Sequence, residues 1–418
     1  MTHPTTDSPR SGDRALSNLR VLDLTRVLAG PWCTQTLADL GADVIKVERP
    51  GSGDDTRGWG PPFLKDSAGH ETSDAAYYLA ANRGKRSVTL DIASPDGQAI
   101  VRKLAARSDV LVENYKVGQL AKYGLDYATL AGINPRLIYC SITGFGQDGP
   151  YKDRAGYDFI IQGMGGFMSI TGERDDLPGG GPQKAGVAVS DLMTGMYATV
   201  AILAALAQRE RTGAGQRIDM ALFDCVVAML ANMNTNYLTT GNPPGRAGNA
   251  HANIVPYQVF AAADGYVIIA VGNDAQFAKF CEVAGHGELA TDARFARNAD
   301  RVRNRAVLVP LLEKIVRERP VGFWAEELER AGIPCGPINS IAQALADPQI
   351  VARGLRVDLP HPLAGSVALV GTPIRMSASP PALDRAPPTL GQHTEEVLRE
   401  LAGVDATTLA SLRARRIV

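Results

Sequence analysis

The stretch Leu19-Arg-Val-Leu-Asp-Leu24, followed by Ala29-Gly-Pro31 and then by Ala42-Asp-Val-Ile-Lys-Val47, decides the fold. The first run is short and apolar, and polar residues follow it, as expected of a strand. Pro31 stands where a helix can start, because a first-turn residue needs no N–H partner. That helix is expected to run to about Leu40 and stop at Gly41, with Ala42–Val47 as the next strand. Strand, helix and strand in this order make a βαβ unit.

The alternation continues outward. Arg86–Asp91 reads as a strand, Ser94-Pro95 opens a helix over Gly97–Arg107, and Asp109–Asn114 and Leu137–Ile142 read as further strands. This order predicts an α/β fold with a parallel sheet and helices on both faces. Ligands of such sheets bind beyond the carboxyl ends of the strands. Here those ends carry Thr25–Gly30, Glu48-Arg49, Asp91, Asn114-Tyr115 and Thr143–Gly146. No GxGxxG follows the first strand, and no GxxxxGK[ST] occurs; Gly163-Met-Gly165-Gly166 does not open the first βα unit. A phosphate-bearing ligand held by dispersed basic residues fits this pattern better than a dinucleotide or nucleoside triphosphate.

Gln208–Gln216 is a charged turn, Arg217–Leu222 a strand, Phe223–Leu238 a helix, and Thr239–Gly248 a loop by composition. A separate unit begins near Ile254. Tyr257–Phe260 and Tyr266–Val271 form a hairpin about Ala263-Asp-Gly265, and helical segments follow to about Ala331. Pro334-Cys-Gly-Pro337 reads as a hinge, Ile341–Leu345 opens a helix, and Gly391–Leu401 is an amphipathic helix expected to pack on the first domain. The expected division is a disordered tail over 1–17, the first part of a large domain over 18–225, a linker helix and small domain over 226–332, and a return segment over 333–418.

With 45% hydrophobic and 21% charged residues the 418-residue chain can bury large cores, and its net charge of −1 points to neither nucleic acid nor an anionic membrane as partner. Five cysteines without a CxxC pair indicate reduced thiols and a cytoplasmic setting. The six scattered histidines make no zinc pattern, so no metal is expected. Thr2–Asp13 lacks the apolar segment of a secretion signal. The apolar run Met193–Ala207, interrupted by Gly195 and Thr199, reads as a buried helix and not as a membrane span.

Asp191 is the residue with the most chemistry to offer. An apolar, strand-like run from Lys184 leads into it, and Met196–Leu206 after it has helical character. A carboxylate at such a junction either caps the helix or, poorly solvated, serves as a nucleophile. Spacing leaves both open, and capping is the commoner use.

Several motifs together resemble the class III (CaiB/BaiF) CoA-transferases. They are Leu19–Pro31, Leu40–Asp54, Val112–Asn114, Asn134–Arg136, Ser141–Pro150, Ala155–Asp158, Gly332–Pro337 and Leu390–Thr394, in family order and spread over residues 18–418. Asp54–Phe63 and His251–Tyr257 are similar to the branch that moves CoA between dicarboxylates such as succinate and glutarate. The resemblance implies a Rossmann-like large domain built from both chain ends, a small α+β middle domain, and a homodimer of interlocked rings. It implies CoA transfer from an acyl-CoA, such as succinyl-CoA, to a free acid, such as glutarate. Coenzyme A thioester is then a substrate, with no permanently bound cofactor.

By the same resemblance Asp191 falls on the family's catalytic aspartate, and CoA contacts are implied for Leu28, Ala29, Arg49, Leu90, Asn114, Tyr115, Lys122, Tyr123 and Tyr157. Arg49 would meet the ADP phosphates, its alternative being an ion pair with Glu48 or Asp54. Formyl- and oxalate-type members have Gln where this chain has Leu28, and a glycine run where it has Gly245-Arg-Ala-Gly-Asn249. Gly248 and Asn249 are candidates for a lid that supplies N–H donors and excludes water. Arg57, Arg83 and Arg246 are candidates for a second carboxylate, because a guanidinium fork matches one; the alternative for each is an ion pair within the protein. His251 and Tyr77 are candidates near substrate, against a loop hydrogen bond and core packing with Tyr78. Two other functions are compatible with the fold: an acyl-CoA racemase, which needs a His/Asp base pair, and a non-catalytic CoA-binding subunit.

Overall fold

The computed structural model describes residues 14–418. The chain forms two compact units: one runs to Phe167 and includes Ala185–Asn234 and Ile350–Val418, the other comprises Met168–Lys184 and Thr235–Gln349. Residues 1–13 of the expected tail lie outside the described residues. Arg14–Ser17 form a turn, with the Leu16 amide on the Leu40 carbonyl at 3.0 Å.

In the first unit six strands make one parallel sheet: β1 (Arg20–Asp23), β2 (Asp43–Glu48), β3 (Lys85–Thr89), β4 (Val110–Glu113), β5 (Ile138–Thr143) and β6 (Arg217–Ala221). Their spatial order is β3-β2-β1-β4-β5-β6. Successive residues of a strand point to opposite faces, so each strand feeds two cores. Leu22, Ile45 and Leu111 pack under the helices Pro95–Ala105 and Thr394–Ala402. Val21, Val44 and Val110 pack under Ala29–Asp39 and the 24-residue helix Val189–Thr212. That long helix is apolar enough to cross a membrane by length and composition, yet it buries Ser190, Thr194 and Arg209 inside the unit.

The second unit is built around β7 (Tyr257–Ala261), β8 (Tyr266–Ala270) and β9 (Cys335–Pro337), all antiparallel with β8 central. Phe260, Phe277, Phe280 and Trp324 form its core beneath three helices, Asp274–Val283, Arg305–Arg317 and Val321–Arg330.

Four local expectations change. The run before Asp191 is not a strand: the Ala185 amide is taken by the Gln162 side chain at 2.9 Å, and the helix begins at Val189. The expected Phe223–Leu238 helix is two, Leu222–Met229 and Asn232–Thr240, broken where Ala231 turns to φ 47°. The hinge at Pro334–Pro337 is β9, because its residues complete the β8 ladder. Two hairpins, Phe63–Lys65 with Glu71–Ala75 and Arg356–His361 with Gly365–Val370, lack a clear turn dipeptide and were not foreseen. Unit boundaries also shift from 225 and 332 to 234 and 349. Leu222 and Val226 belong to the first unit's core, and β9 ties the chain after 332 to the second.

Candidate active site

The strand order reverses between β1 and β4, and a cleft opens past the carboxyl ends of β1 to β4. It measures about 170 Å³ and is lined by Arg26, Arg49, Leu90, Tyr115 and Tyr123 among others. Arg49 is exposed and forms no ion pair among the described residues, because Glu48 and Asp54 are already committed to Arg57 and Lys46. Arg26, which motif reading passed over, adds a second guanidinium; it pairs with Asp55 at 2.8 Å and lies 5.7 Å from the Tyr115 ring centre.

The loop over this cleft is held under tension. Val27 has φ 72°, a region that a β-branched residue rarely enters. Asn114 clasps Arg26 on both sides, accepting from its amide at 3.0 Å and donating to its carbonyl at 2.7 Å, and Asp54 accepts from the Val27 amide at 3.2 Å. Asn114 thus fixes the loop.

Beneath lies a buried charge network. Asp23 accepts from Thr25, Thr34 and Lys85; burial alone would raise its carboxyl, but Lys85 and Lys46 hold it down at about 2. Arg57 joins Glu48 at 2.8 Å, Asp74 at 2.5 Å and the Pro388 carbonyl at 3.1 Å. Arg83 is likewise buried against Asp39 at 2.5 Å. Both arginines are therefore structural, and neither presents a fork to a ligand; breaking such a buried pair costs about 3–5 kcal/mol.

Asp191 stands in the first turn of the Val189–Thr212 helix, but not as its cap: the N-cap is Ala188, with no side-chain cap bond. Its carboxylate has no hydrogen bond or ion pair among the described residues. Within that turn the amides of Val189, Ser190 and Leu192 are engaged by Val187, Asp158 and Ala188, while the Asp191 N–H has no acceptor among the described residues. Burial, then the charge of Asp158, push its carboxyl up to about 7. A rise from 3.8 to about 7 corresponds to roughly 4 kcal/mol. A helix N-terminus returns only about 0.3–1 kcal/mol to a carboxylate, so burial wins.

Tyr77 lies close enough that burial and the Asp191 charge both raise its phenol, and its ring meets Trp59 edge-on at 5.2 Å. Tyr78 is fully buried against Arg57. Gly195, one turn beyond Asp191, lets this helix approach the Ala29–Asp39 helix: a Cβ there would lie 2.6 Å from the Ala29 carbonyl oxygen.

The structure thus brings Arg49, Leu90, Tyr115 and Tyr123 to one cleft, and Tyr77 to Asp191. Leu28 and Ala29 are buried at the start of the first helix, Lys122 is exposed, and Tyr157 is 62% exposed just before Asp158. Gly248, Asn249, His251 and Arg246 belong to the second unit. There Gly248 donates to the Gly172 carbonyl at 3.1 Å, His251 Nδ1 accepts from the Asn253 amide at 3.0 Å, Asn249 is exposed, and Arg246 pairs with Asp175. Asp158 and Trp59 were missed as site residues, although both sit inside quoted motifs. Among the described residues no group of His, Cys, Asp and Glu is placed to hold a metal.

The chain matches CoA-transferase family III over residues 16–394. It is 54% identical over 392 residues to the succinate–glutarate CoA-transferase of Agrobacterium fabrum, covering 94% of this chain and 97% of that one. It is 42% identical over 405 residues to the succinyl-CoA:glutarate CoA-transferase of Homo sapiens, covering 97% and 90%. A CaiB/BaiF family protein from Brucella suis, known as a crystal structure, is 53% identical with a TM-score of 0.81, covering 93% of this chain and 100% of that one. Similarity of this extent over the full set of motifs settles the family: the chain belongs to CoA-transferase family III and is a CoA-transferase of the CaiB/BaiF type.

Proposed function

We propose that this enzyme moves CoA from succinyl-CoA to a dicarboxylic acid such as glutarate through covalent intermediates on Asp191. The substrate pair follows the names of its relatives. The observation that carries the covalent step is a carboxylate in a helix's first turn that neither caps the helix nor pairs among the described residues, beside an N–H with no acceptor among them. In its ionised form one oxygen of Asp191 attacks the thioester carbonyl, and CoA leaves as thiolate. The product is a mixed anhydride. The thiolate then attacks the Asp191 carbonyl carbon, which releases the first acid and leaves an aspartyl–CoA thioester. The incoming acid attacks that carbon, displacing the thiolate and forming a second anhydride. Attack of the thiolate on the new acyl carbon yields the new acyl-CoA and frees Asp191. Splitting the exchange lowers each barrier, and the Asp191 amide is suited to an oxyanion, a donor of a kind worth about 3 kcal/mol.

CoA would lie over the β1–β4 cleft, with Arg49 and Arg26 toward its phosphates. Gly248 and Asn249 remain our candidates for a lid, and two interlocked copies for the assembly; sedimentation of the purified enzyme tests the latter. Incubation of succinyl-CoA with labelled glutarate should give labelled glutaryl-CoA by mass spectrometry, and hydroxylamine added during turnover should modify Asp191. Absence of both would end this reading. A carboxyl at about 7 is also apt for a general base, which is the one observation favouring a racemase. Solvent deuterium entering the α-carbon of a branched acyl-CoA, without acid exchange, would select that alternative.

A further inference from the structure

Arg26 and Asn114 meet where the strand order reverses, Arg26 in the loop after β1 and Asn114 directly after β4. The resemblance implies that Asn114 touches CoA, yet its side-chain amide is already engaged at both ends. Oδ1 accepts from the Arg26 amide and Nδ2 donates to the Arg26 carbonyl, at 3.0 and 2.7 Å. Arg26 and Tyr115 line the cleft, whereas Asn114 does not. Glu113 steadies the same segment by accepting from the Tyr115 amide at 2.8 Å. The clasp works against a local preference, because Val27 is held at φ 72°. Apart from Asn114, only Asp54 holds the backbone of Arg26 and Val27 among the described residues, through the Val27 amide.

The Arg26 guanidinium has an open edge. Its Nη1 pairs with Asp55 at the surface, where such a pair is weak. Its Nε is buried with no partner among the described residues, and Nη2 makes no hydrogen bond among them. A buried donor without an acceptor is uncommon and calls for one. The carboxylates on the cleft wall do not supply it: Glu48 is taken by Arg57, Asp54 by Lys46, and Asp91 accepts from the Ala93 amide. The Nε–Nη2 edge is a fork that matches two oxygens of one phosphate.

We propose that Asn114 is a positioning residue for CoA: its side chain fixes the Arg26 backbone so that the Nε–Nη2 edge meets a phosphate of CoA, and it does not itself touch CoA. This rests on the placement of CoA over the β1–β4 cleft given above. A double-mutant cycle on CoA affinity, measured by calorimetry on the whole enzyme, tests it. Arg26→Ala should weaken CoA binding about ten- to a hundredfold, the worth of a charge-assisted contact. Asn114→Ala should lose a similar factor, and the double variant no more than Arg26→Ala alone. Losses that multiply in the double variant, or wild-type affinity in Asn114→Ala, would overturn the role. In the transfer assay Asn114→Ala should raise KM for succinyl-CoA and leave kcat and KM for glutarate nearly unchanged; a fall in kcat with KM unmoved would also overturn it. Thermal melts report folding, and if Asn114→Ala does not fold, Asn114→Ser takes its place in the cycle under the same criteria. Arg49→Ala separates the two readings. If it weakens CoA binding and Arg26→Ala does not, the placement of CoA stands and the role of Asn114 alone is overturned. If neither weakens binding, CoA does not lie over this cleft and both readings fall.

Discussion

Asp158 holds Ser190 by two hydrogen bonds to a single carboxylate oxygen, from the Ser190 amide at 2.9 Å and from its hydroxyl. One acidic residue therefore pins the first turn of the helix that carries Asp191, and its charge also raises the Asp191 carboxyl. Asp158→Asn keeps the accepting oxygen and removes the charge. The pH–rate midpoint from Asp191 should lie near 7 in the wild type, where its carboxyl is held, and should move down in this variant. Asp158→Ala loses the bonds too and should cost about 1–3 kcal/mol of stability. A kcat/KM profile against pH checks the first, and an unmoved midpoint would remove Asp158 from that role.

Asp191 itself has a linkage signature. Its folded pKa, about 7, lies above the unfolded value of 3.8. The folded state thus binds the proton more tightly, so the stability tied to it is complete below 3.8 and is lost as pH rises through about 7. Asp191→Asn removes the titration. It should gain on the wild type from about pH 4 upward and level off above pH 7 at a few kcal/mol. Denaturant unfolding at pH 4, 6 and 8 measures this. The same variant should lose transfer by about 10³-fold or more, with CoA binding retained.

Arg49 and Arg57 are eight residues apart and should behave in opposite ways. Arg49→Ala should weaken CoA binding about tenfold, an effect that shrinks at high salt, with little change in melting. Arg57→Ala strands Glu48 and Asp74 without a cation and should destabilise the fold by about 3–5 kcal/mol. Calorimetry for CoA and thermal melts separate the two; equal melting loss in both would contradict the assignment.

Gly195→Ala puts a methyl group 2.6 Å from the Ala29 carbonyl oxygen, which requires the two helices to part. About 1–3 kcal/mol of stability should be lost, together with turnover, because Asp191 is one turn away on the same helix. A control at Ala201, on the same helix, changed to Ser, should leave both nearly intact.

Much of the first unit was legible because β strands and their covering helices have different periods. Val21 and Leu22 are adjacent yet face opposite cores, and each apolar run reflects that alternation. Local signals also marked Ser94, whose hydroxyl accepts from the Gly97 amide at 3.0 Å to start its helix. The strand expected before Asp191 failed because an apolar run does not reveal that a distant Gln162 has taken its amide. The compact units divide at 234 and 349, not at 225 and 332, because a boundary follows the core that a segment enters.

By itself the sequence determined the parallel sheet, the order of the motifs, the family and Asp191 as the residue to test. Only the tertiary structure decided which charged side chains are spent and which remain. Arg57 ends against the carbonyl of Pro388, 331 residues away, whereas Arg49 keeps no carboxylate among the described residues. A long cation looks the same in sequence whether paired or not. Its chemistry is fixed by desolvation and by partners that only the folded chain brings within reach.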